Sequence, residues 1–328
     1  LITGVQSLFG LKTQLQFGKL WITAAIAQQK SQRKSLTIQG GSQTQQIAIK
    51  VDNYEENRNF LLAQYFHDNY NKALKDYPLI NSLVTINKIE VWVTNNTGTT
   101  TSVRSVASFM DLGEHMPYRT QFLDGSGPVL PDNRSNQLYR NLSDPQARGQ
   151  STVNTFLSQR LNLTQGADYQ ITTSRQLTPS EFTFNPQLGY ISLNTQLNPN
   201  DVLGVAYRYT YRGQVYQVGE FAEDLPPDTT NSRVLFLKML KSNSNTPTLP
   251  IWQLMMKNIY SLGGIGVTKD NFVLNVMYQD PGGSEKRYLP EGPRAGVPLI
   301  SLLNLDKLNS QNLPQPDGIF DFVDGITI

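Results

Sequence analysis

The stretch TFNPQLGYISLNTQLNPNDVLGVAYRYTYRGQVYQVGEF, residues 183–221, alternates apolar and polar residues over several short runs. In its YRYTY motif every second residue is a tyrosine, which puts the rings on one face of an extended chain and Arg208 on the other. The pair Arg212-Gly213 then turns the chain into a second run at residues 215–218. The pattern predicts antiparallel strands joined by a tight hairpin. The tyrosine face comprises Val205, Tyr207, Tyr209 and Tyr211.

That face has two explanations. A row of rings can stack on sugars, as in a cell-surface adhesin or glycan-binding module, or it can pack across strands in a half-buried sheet. Packing is the commoner use of such rows, so we favour it. Exposed rings beside Asn or Asp side chains would favour the glycan-binding alternative.

Composition excludes several classes of protein. The chain has 328 residues with 38% hydrophobic content, enough for a sizeable core. Lys and Arg number 28 against 26 Asp and Glu, a net charge of +2 that does not favour nucleic acid as a partner. There is no cysteine, which rules out a disulfide framework and thiolate metal sites. The chain begins without an initiator methionine, and we expect it to be a piece of a longer protein.

Regular patterns divide the chain into strand-like and helix-like segments. Residues 9–27 alternate on both sides of Gly18-Lys19 and predict a β-hairpin, which by pattern alone suits a sandwich better than a membrane barrel. A helix capped by Asp52 or Asn53 is expected to run to about residue 74, and a strand follows at 86–94. Residues 111–149 read as a long ordered loop or several short elements. Further helices are predicted at 152–161, 234–240, 251–262 and 298–305, and a strand at 272–278. The fold class is therefore α+β and β-rich, with antiparallel sheets and several amphipathic helices.

Residues that carry chemistry are scarce. A Ser-His-Asp triad would need His67 or His115, and neither lies in a recognised catalytic motif. A hydrolase would need one of them beside a carboxylate in a deep pocket. We expect no catalytic residues, no cofactor and no enzyme activity.

An acidic cluster near the end of the sequence has the hard oxygen ligands that calcium uses. It departs from the EF-hand pattern, because Leu308 stands at a ligand position, and ordinary Asx turns and caps explain most such clusters. Calcium is the minority interpretation, and the domain is expected to fold without metal. The candidate ligands are Asp306, Asn309, Asp317 and Asp321, with Asn312 and Asp324 nearby.

Several blocks of the sequence together carry a resemblance to a known family: LAQYFHDNYNKAL, IEVWVTNNTG, ASFMDLGE, EFTFNPQLGYISLNTQLNPNDVLGVAYRYTY, VYQVGEF, LPIWQLMMKNIYSLG, KRYLPEG and LLNLDKLNSQNLPQPDGIFDFVDGITI. The sequence resembles the SprA/Sov family of gliding-motility and secretion proteins, in order over most of the chain from about Lys12 to Ile328. The resemblance implies an internal fragment of an outer-membrane translocon, a very large single-chain β-barrel through which folded cargo leaves by the type 9 secretion system.

The resemblance changes the interpretation of residues 9–27. In that setting residues 1–50 are a barrel-type hairpin and its connection, with Leu11, Leu15 and Phe17 toward lipid and Lys12, Gln14 and Gln16 toward water. Residues 51–328 are a soluble α+β insertion domain attached to the barrel strands, or two subdomains that divide near residue 150. It faces either the extracellular side or the periplasm. The implied partners are secreted cargo, a PorV-type partner barrel, other secretion-system components and outer-membrane lipid.

Overall fold

The structure is a computed structural model that describes residues 8–17, 20–29, 46–96, 98, 101–226, 233–244, 246–264, 267–280 and 283–328. The chain divides into two compact units, Leu1–Ile49 and Lys50–Ile328. It is 14% helical and 25% strand, with antiparallel and mixed sheets, which confirms the β-rich α+β class. No helix within the described residues has the length and apolar character that a bilayer crossing requires.

The first unit contains the predicted hairpin. Strand β1 (Leu8–Phe17) pairs antiparallel with β2 (Leu20–Gln29). Its register pairs Leu15 with Ile22 and Gln14 with Thr23, so that most of the alternating apolar residues of one strand pair with apolar residues of the other. The hairpin is confirmed, and its attachment to a membrane barrel stays a prediction.

The second unit holds all the remaining elements. Its strands are β3 (Asn59–Leu61), β4 (Val84–Thr94), β5 (Val103–Phe109), β6 (Tyr169–Gln176), β7 (Phe182–Asn185), β8 (Tyr190–Leu193), β9 (Leu203–Tyr211), β10 (Gln214–Val218), β11 (Leu235–Lys241), β12 (Tyr278–Gln279) and β13 (Glu285–Lys286). Its helices are α1 (Gln64–Ala73), α2 (Leu138–Asn141), α3 (Val153–Thr155), which continues as a π-helical turn (Phe156–Arg160), α4 (Ile251–Leu254) and α5 (Leu299–Leu302). Single 3-10 turns lie at Thr120–Phe122, Pro145–Ala147 and Lys269–Asn271.

Five strands of this unit close on themselves into a ring. In order around it they are β4, β9, β11, β5 and β6, and β6 pairs again with β4. The pairs are antiparallel except β11 with β5, which is parallel. Strand β10 pairs antiparallel with the C-terminal half of β9, residues 207–211, and so extends the ring there. Inside the ring, side chains of β4, β5, β9 and β11 form one apolar cluster, and Phe221, which follows β10, packs with them. The cluster includes Trp92, Val106, Ala206, Leu235, Leu237 and Phe221.

The outside of the ring is buried on two sides. On one side α1, α4 and the three-stranded sheet β3-β8-β7 cover it, and Phe66 of α1 contacts the ring of Tyr207 on β9. On the other side the short helices between residues 120 and 163 pack against Phe109 and Phe236. The ring is therefore a closed sheet with apolar packing inside and on both flanks, and the elements at its rim position the polar groups described below.

Four predicted elements are confirmed, and four are corrected. The strand at 86–94, the short elements within 111–149, and the helices at 152–161 and 298–305 lie where the pattern indicates. The helix expected from Asp52 or Asn53 instead begins at Gln64, because residues Asn59–Leu61 pair with β8 as a strand. The predicted helix at 234–240 is β11, whose residues are all buried. The helix at 251–262 is confined to α4, and the strand at 272–278 reduces to β12.

Candidate functional site

The tyrosine face of β9 packs into the core. Tyr207 and Tyr209 are fully buried and their rings stack at 6.1 Å, while Tyr216 on β10 stacks on Tyr209 at 5.3 Å. The Tyr209 hydroxyl donates to Pro131 O at 2.7 Å. Burial raises the pKa of both Tyr207 and Tyr209. Rings in this position are not available to stack on a sugar, so the packing interpretation is confirmed.

Each of the two histidine side chains makes one polar contact among the described residues. His67 is exposed on α1, with Nδ1 2.9 Å from the Asp68 carboxylate. His115 Nδ1 lies 3.1 Å from Pro128 O. Neither contact activates a nucleophile.

Among the clefts of the described residues, two contain a buried lysine, and neither histidine lines those two. The first lies beside Asn57 and Trp252. Lys241 enters it from β11 and donates to the carbonyls of Pro199, Asp201 and Ser242, and burial lowers its pKa to about 8. The second cleft is lined by Asp111, Glu114 and Lys238 together with apolar residues.

The centre of that second cleft is a buried ion pair. Lys238 Nζ on β11 lies 2.7 Å from Glu114 Oε1 and also donates to Met110 O. Glu114 in turn accepts from the backbone N–H of Gln64 at 3.1 Å, the first residue of α1. A carboxylate at this position satisfies an unpaired N–H and complements the helix dipole, which no residue of α1 itself does. Glu114 thereby joins the loop after β5, the start of α1 and strand β11.

Asp111 and Asn136 hold that loop in shape. Asp111 accepts the backbone N–H groups of Tyr118 and Arg119 at 2.8 and 2.9 Å. Asn136 Nδ2 donates to the carbonyls of Asp111 and Glu114 at 2.6 and 2.7 Å. Burial raises the pKa of Asp111. The DLGE motif is thus a folded turn with its polar groups satisfied from within the protein.

A second buried network stabilises the turn that follows β10. Arg148 Nη1 lies 2.7 Å from Glu220 Oε2, and the Tyr139 hydroxyl donates to Glu220 Oε1 at 2.8 Å. The same carboxylate accepts the backbone N–H of Phe236 at 3.0 Å, and the Arg148 guanidinium lies 3.9 Å from the Phe236 ring. Burial and the Glu220 carboxylate together raise the pKa of the Tyr139 phenol. Glu220 therefore fixes Phe221, its neighbour, at the end of the strand ring.

The structure brings part of the acidic cluster together, and the carboxylate oxygens of Asp306 and Asp321 already accept hydrogen bonds from other groups of the protein. Asp306 accepts from the Ser301 hydroxyl and from the N–H groups of Asp317 and Gly318. Asp321 accepts from the Tyr77 hydroxyl at 2.6 Å and from the N–H groups of two residues that follow Asp306.

The other members of the cluster act in the same way. The side-chain oxygens of Asn309 and Asp317 accept nearby backbone N–H groups. The described residues contain no group of three His, Cys, Asp or Glu placed to hold a metal. Calcium stays the minority interpretation of this cluster, and a test of it is given below.

The sequence does not predict the two buried networks around Glu114 and Glu220. Glu114 and Lys238 are 124 positions apart along the chain, and single charges in apolar runs carry no mark of their partner. The signal available was that both lie in segments that are otherwise apolar or turn-forming, ASFMDLGE and VLFLKML, where a charge must be paired if it is buried.

Comparison with known proteins identifies the family. No curated protein matches the chain. Residues 3–199, more than half of the chain, match the family SprA_N, described as a motility related/secretion protein. The match covers the hairpin, α1, the DLGE turn and strands β3 to β8, and the expected resemblance is confirmed. The chain belongs to the SprA/Sov family of motility-related and secretion proteins.

Proposed function

We propose that the chain is part of a protein-conducting outer-membrane translocon that exports folded cargo in the type 9 secretion system and supports gliding motility. Family membership supports a role in secretion or motility. The observation that carries the finer proposal is the register of β1 and β2, which puts Leu11, Leu15 and Phe17 opposite Ile26, Ile22 and Leu20. Alternation of this kind on ten-residue strands is typical of membrane-barrel hairpins.

The second unit is proposed to be a rigid wall or cap of the conduit. Its closed strand ring, with buried ion pairs at Glu114 and Glu220, favours a body that keeps its shape while other chains move past it. Such a part needs shape and polar surface more than reactive groups. The unit would face the extracellular side or the periplasm of the outer membrane.

The proposed partners follow from this role. Secreted cargo would pass along the conduit, a PorV-type partner barrel and other secretion-system components would contact the parent chain, and outer-membrane lipid would contact the hairpin. The side chain of Leu15 would face lipid or the partner barrel, and that of Gln14 would face water.

A matched pair of variants in the full-length protein tests the hairpin. Leu15→Arg should abolish outer-membrane assembly and cargo export, because a charge on the lipid face costs about 2–4 kcal/mol near the bilayer midplane. Gln14→Arg, one position along the same strand, should leave both intact. Equal tolerance of the two changes would show that the hairpin is not in the membrane.

The protein is also proposed to have no enzyme activity. The contacts of His67 and His115 support this, since each has a structural or solvent-exposed environment. Replacing both by Gln in the source organism should leave secretion unchanged at equal protein level. Lost secretion with normal amounts of folded protein would contradict the proposal.

A further inference from the structure

The C-terminal part of the chain packs differently from the rest of its unit. We define the arm as the described residues from 261 to 328. Within it, no described residue before Ile300 is buried, and its buried side chains belong to none of the three apolar cores formed by the rest of the unit. The arm is therefore not part of the packing that holds the strand ring together.

The arm instead holds its own shape. The ring of Phe272 contacts the rings of Phe320 and Phe322 at 5.5 and 5.6 Å. Asp306 binds the turn at residues 317–318, and the N–H of Asp321 donates to Leu305 O at 2.9 Å. These contacts join distant parts of the arm to one another, so the arm can keep its local structure when it is not docked.

The arm attaches to the end of α1 through polar groups. Tyr77, just beyond α1, donates from its hydroxyl to Asp321 Oδ2 at 2.6 Å and to Asn304 O at 3.0 Å. From the arm, Lys307 Nζ donates to Leu74 O and Lys75 O at 3.3 and 3.4 Å and lies 4.9 Å from the Tyr77 ring. Tyr77, like the arm, belongs to none of the three apolar cores of the described residues.

The chain immediately before the arm is attached to the rest of the unit. Immediately before it, Ile259 O accepts the N–H of Glu55 at 2.8 Å, and the Tyr260 hydroxyl donates to Val51 O at 3.0 Å. The chain is thus fixed to the rest of the unit at residues 259–260 and, through the arm, again at Tyr77, and none of the described residues from 261 to 299 is buried.

We propose that the arm docks reversibly on the end of α1 through Tyr77. It undocks as a unit while the strand ring stays folded. Release breaks a few polar contacts and opens none of the three cores, so it requires much less free energy than global unfolding. The docked state covers Tyr77 and the carbonyls of Leu74 and Lys75 just beyond α1, and the released state exposes them. The face of the protein at this end of α1 therefore has two states.

Hydrogen exchange on the intact chain tests whether the contacts of Tyr77 hold the arm in its docked position. Tyr77→Phe removes the hydroxyl that binds Asp321 and keeps the ring. Amides of residues 299–323 and of the last turn of α1 should exchange roughly tenfold faster or more, the effect expected for losing a hydrogen bond to a charged group. Amides of β4 and β9 should be unchanged. Tyr209→Phe, which removes a tyrosine hydroxyl bond inside the core, is the control and should leave the arm unaffected.

A second variant acts from the arm itself. Lys307→Met removes the contacts to Leu74 O and Lys75 O without altering the body, and should accelerate exchange in the same amides. Unchanged exchange of the arm in both variants would overturn the proposal. So would equal acceleration of the arm and β9, or loss of the whole fold on Tyr77→Phe, because each would show that the arm and the ring unfold as one.

Discussion

Two tyrosines that are neighbours on one face of β9 differ in a single hydrogen bond. The Tyr209 hydroxyl donates to Pro131 O, whereas the Tyr207 hydroxyl is buried and has no hydrogen-bond partner among the described residues. A buried hydroxyl without a partner has lost its bonds to water and gained nothing in return. The pair therefore separates the effect of a satisfied hydroxyl from that of an unsatisfied one in the same environment.

Tyr207→Phe should leave the free energy of unfolding unchanged or raise it, because the ring contacts remain and an unsatisfied group is removed. Tyr209→Phe should lower it by about 1 kcal/mol or more, since Pro131 O is left without its donor. Urea denaturation of both variants measures the difference. A larger loss for Tyr207→Phe than for Tyr209→Phe would contradict the assignment.

Gly189 and Gly213 form a second matched pair of residues. Both have a left-handed backbone, with φ of +68° and +80°, but a Cβ at Gly189 would lie 2.1 Å from the Phe66 ring, whereas Gly213 faces open space. Gly213→Ala should cost about 1 kcal/mol from backbone strain alone. Gly189→Ala should cost a further 1–3 kcal/mol or so, because Phe66 must move within a packed core. Equal urea midpoints would mean that Phe66 does not touch this turn.

At the scale of elements, Glu114 connects three parts of the fold that are distant in sequence. It binds Lys238 of β11 and the first N–H of α1 from the loop after β5. Removing one partner of a buried ion pair leaves an uncompensated charge, whereas removing both charges can be nearly neutral. The pair is therefore expected to show strong coupling.

Lys238→Met should lower the free energy of unfolding by about 3–5 kcal/mol. Adding Glu114→Gln to that variant should restore part of the loss, because Gln is neutral and its amide oxygen still accepts from the Gln64 N–H. A double-mutant cycle with urea denaturation gives the coupling. Additive effects of the two substitutions would show that the charges do not interact.

The sequence predicted the elements that alternate apolar and polar residues or contain a recognisable turn. The hairpin of β1 and β2 and the turn at Arg212-Gly213 follow from local pattern alone, and both are present. The sequence of β11 predicts a helix, because all its residues are buried, including Lys238 and Lys241, so that no alternation marks it as a strand. The sequence of β3 predicts the start of α1, because its partner β8 lies about 130 positions away and leaves no local signal. Closure of the ring depends on such long-range pairs.

At the scale of the whole molecule, the buried tyrosines make stability depend on alkaline pH. Burial raises the pKa of Tyr70 to about 12 and also raises those of Tyr77, Tyr207 and Tyr209. An unfolded tyrosine loses its proton near pH 10, so the unfolded chain binds fewer protons than the folded one above that pH. The stabilisation is complete below about pH 10 and declines as the pH rises through about 12.

We expect these tyrosines to make no contribution to the pH dependence of the urea midpoint below pH 10. Above pH 10 they should make the urea midpoint fall. Tyrosinate absorbance of the native protein should rise at higher pH than that of the protein in urea. Tyr70→Phe should reduce the slope of stability against pH in this range. An identical slope in the variant would show that Tyr70 titrates normally in the fold.

The domain from about Asp52 onward is also expected to fold without metal. The carboxylates of Asp306 and Asp321 already accept N–H and O–H groups of the protein, so a chelator has no ion to remove that the fold requires. Thermal melts with and without chelator should coincide. A marked drop in melting temperature with chelator would establish the acidic cluster as a calcium site.

Ring closure has a consequence for how this protein can coexist with other polypeptides. Unpaired strand edges are templates on which a partly unfolded chain can add a strand, the first step of aggregation. In the described ring each strand has neighbours on both sides, and the exposed side of β10 is partly covered where Asn133 N–H donates to Gln217 O. Under the proposed function, the strand ring would thus present few free strand edges to partly unfolded cargo beside it.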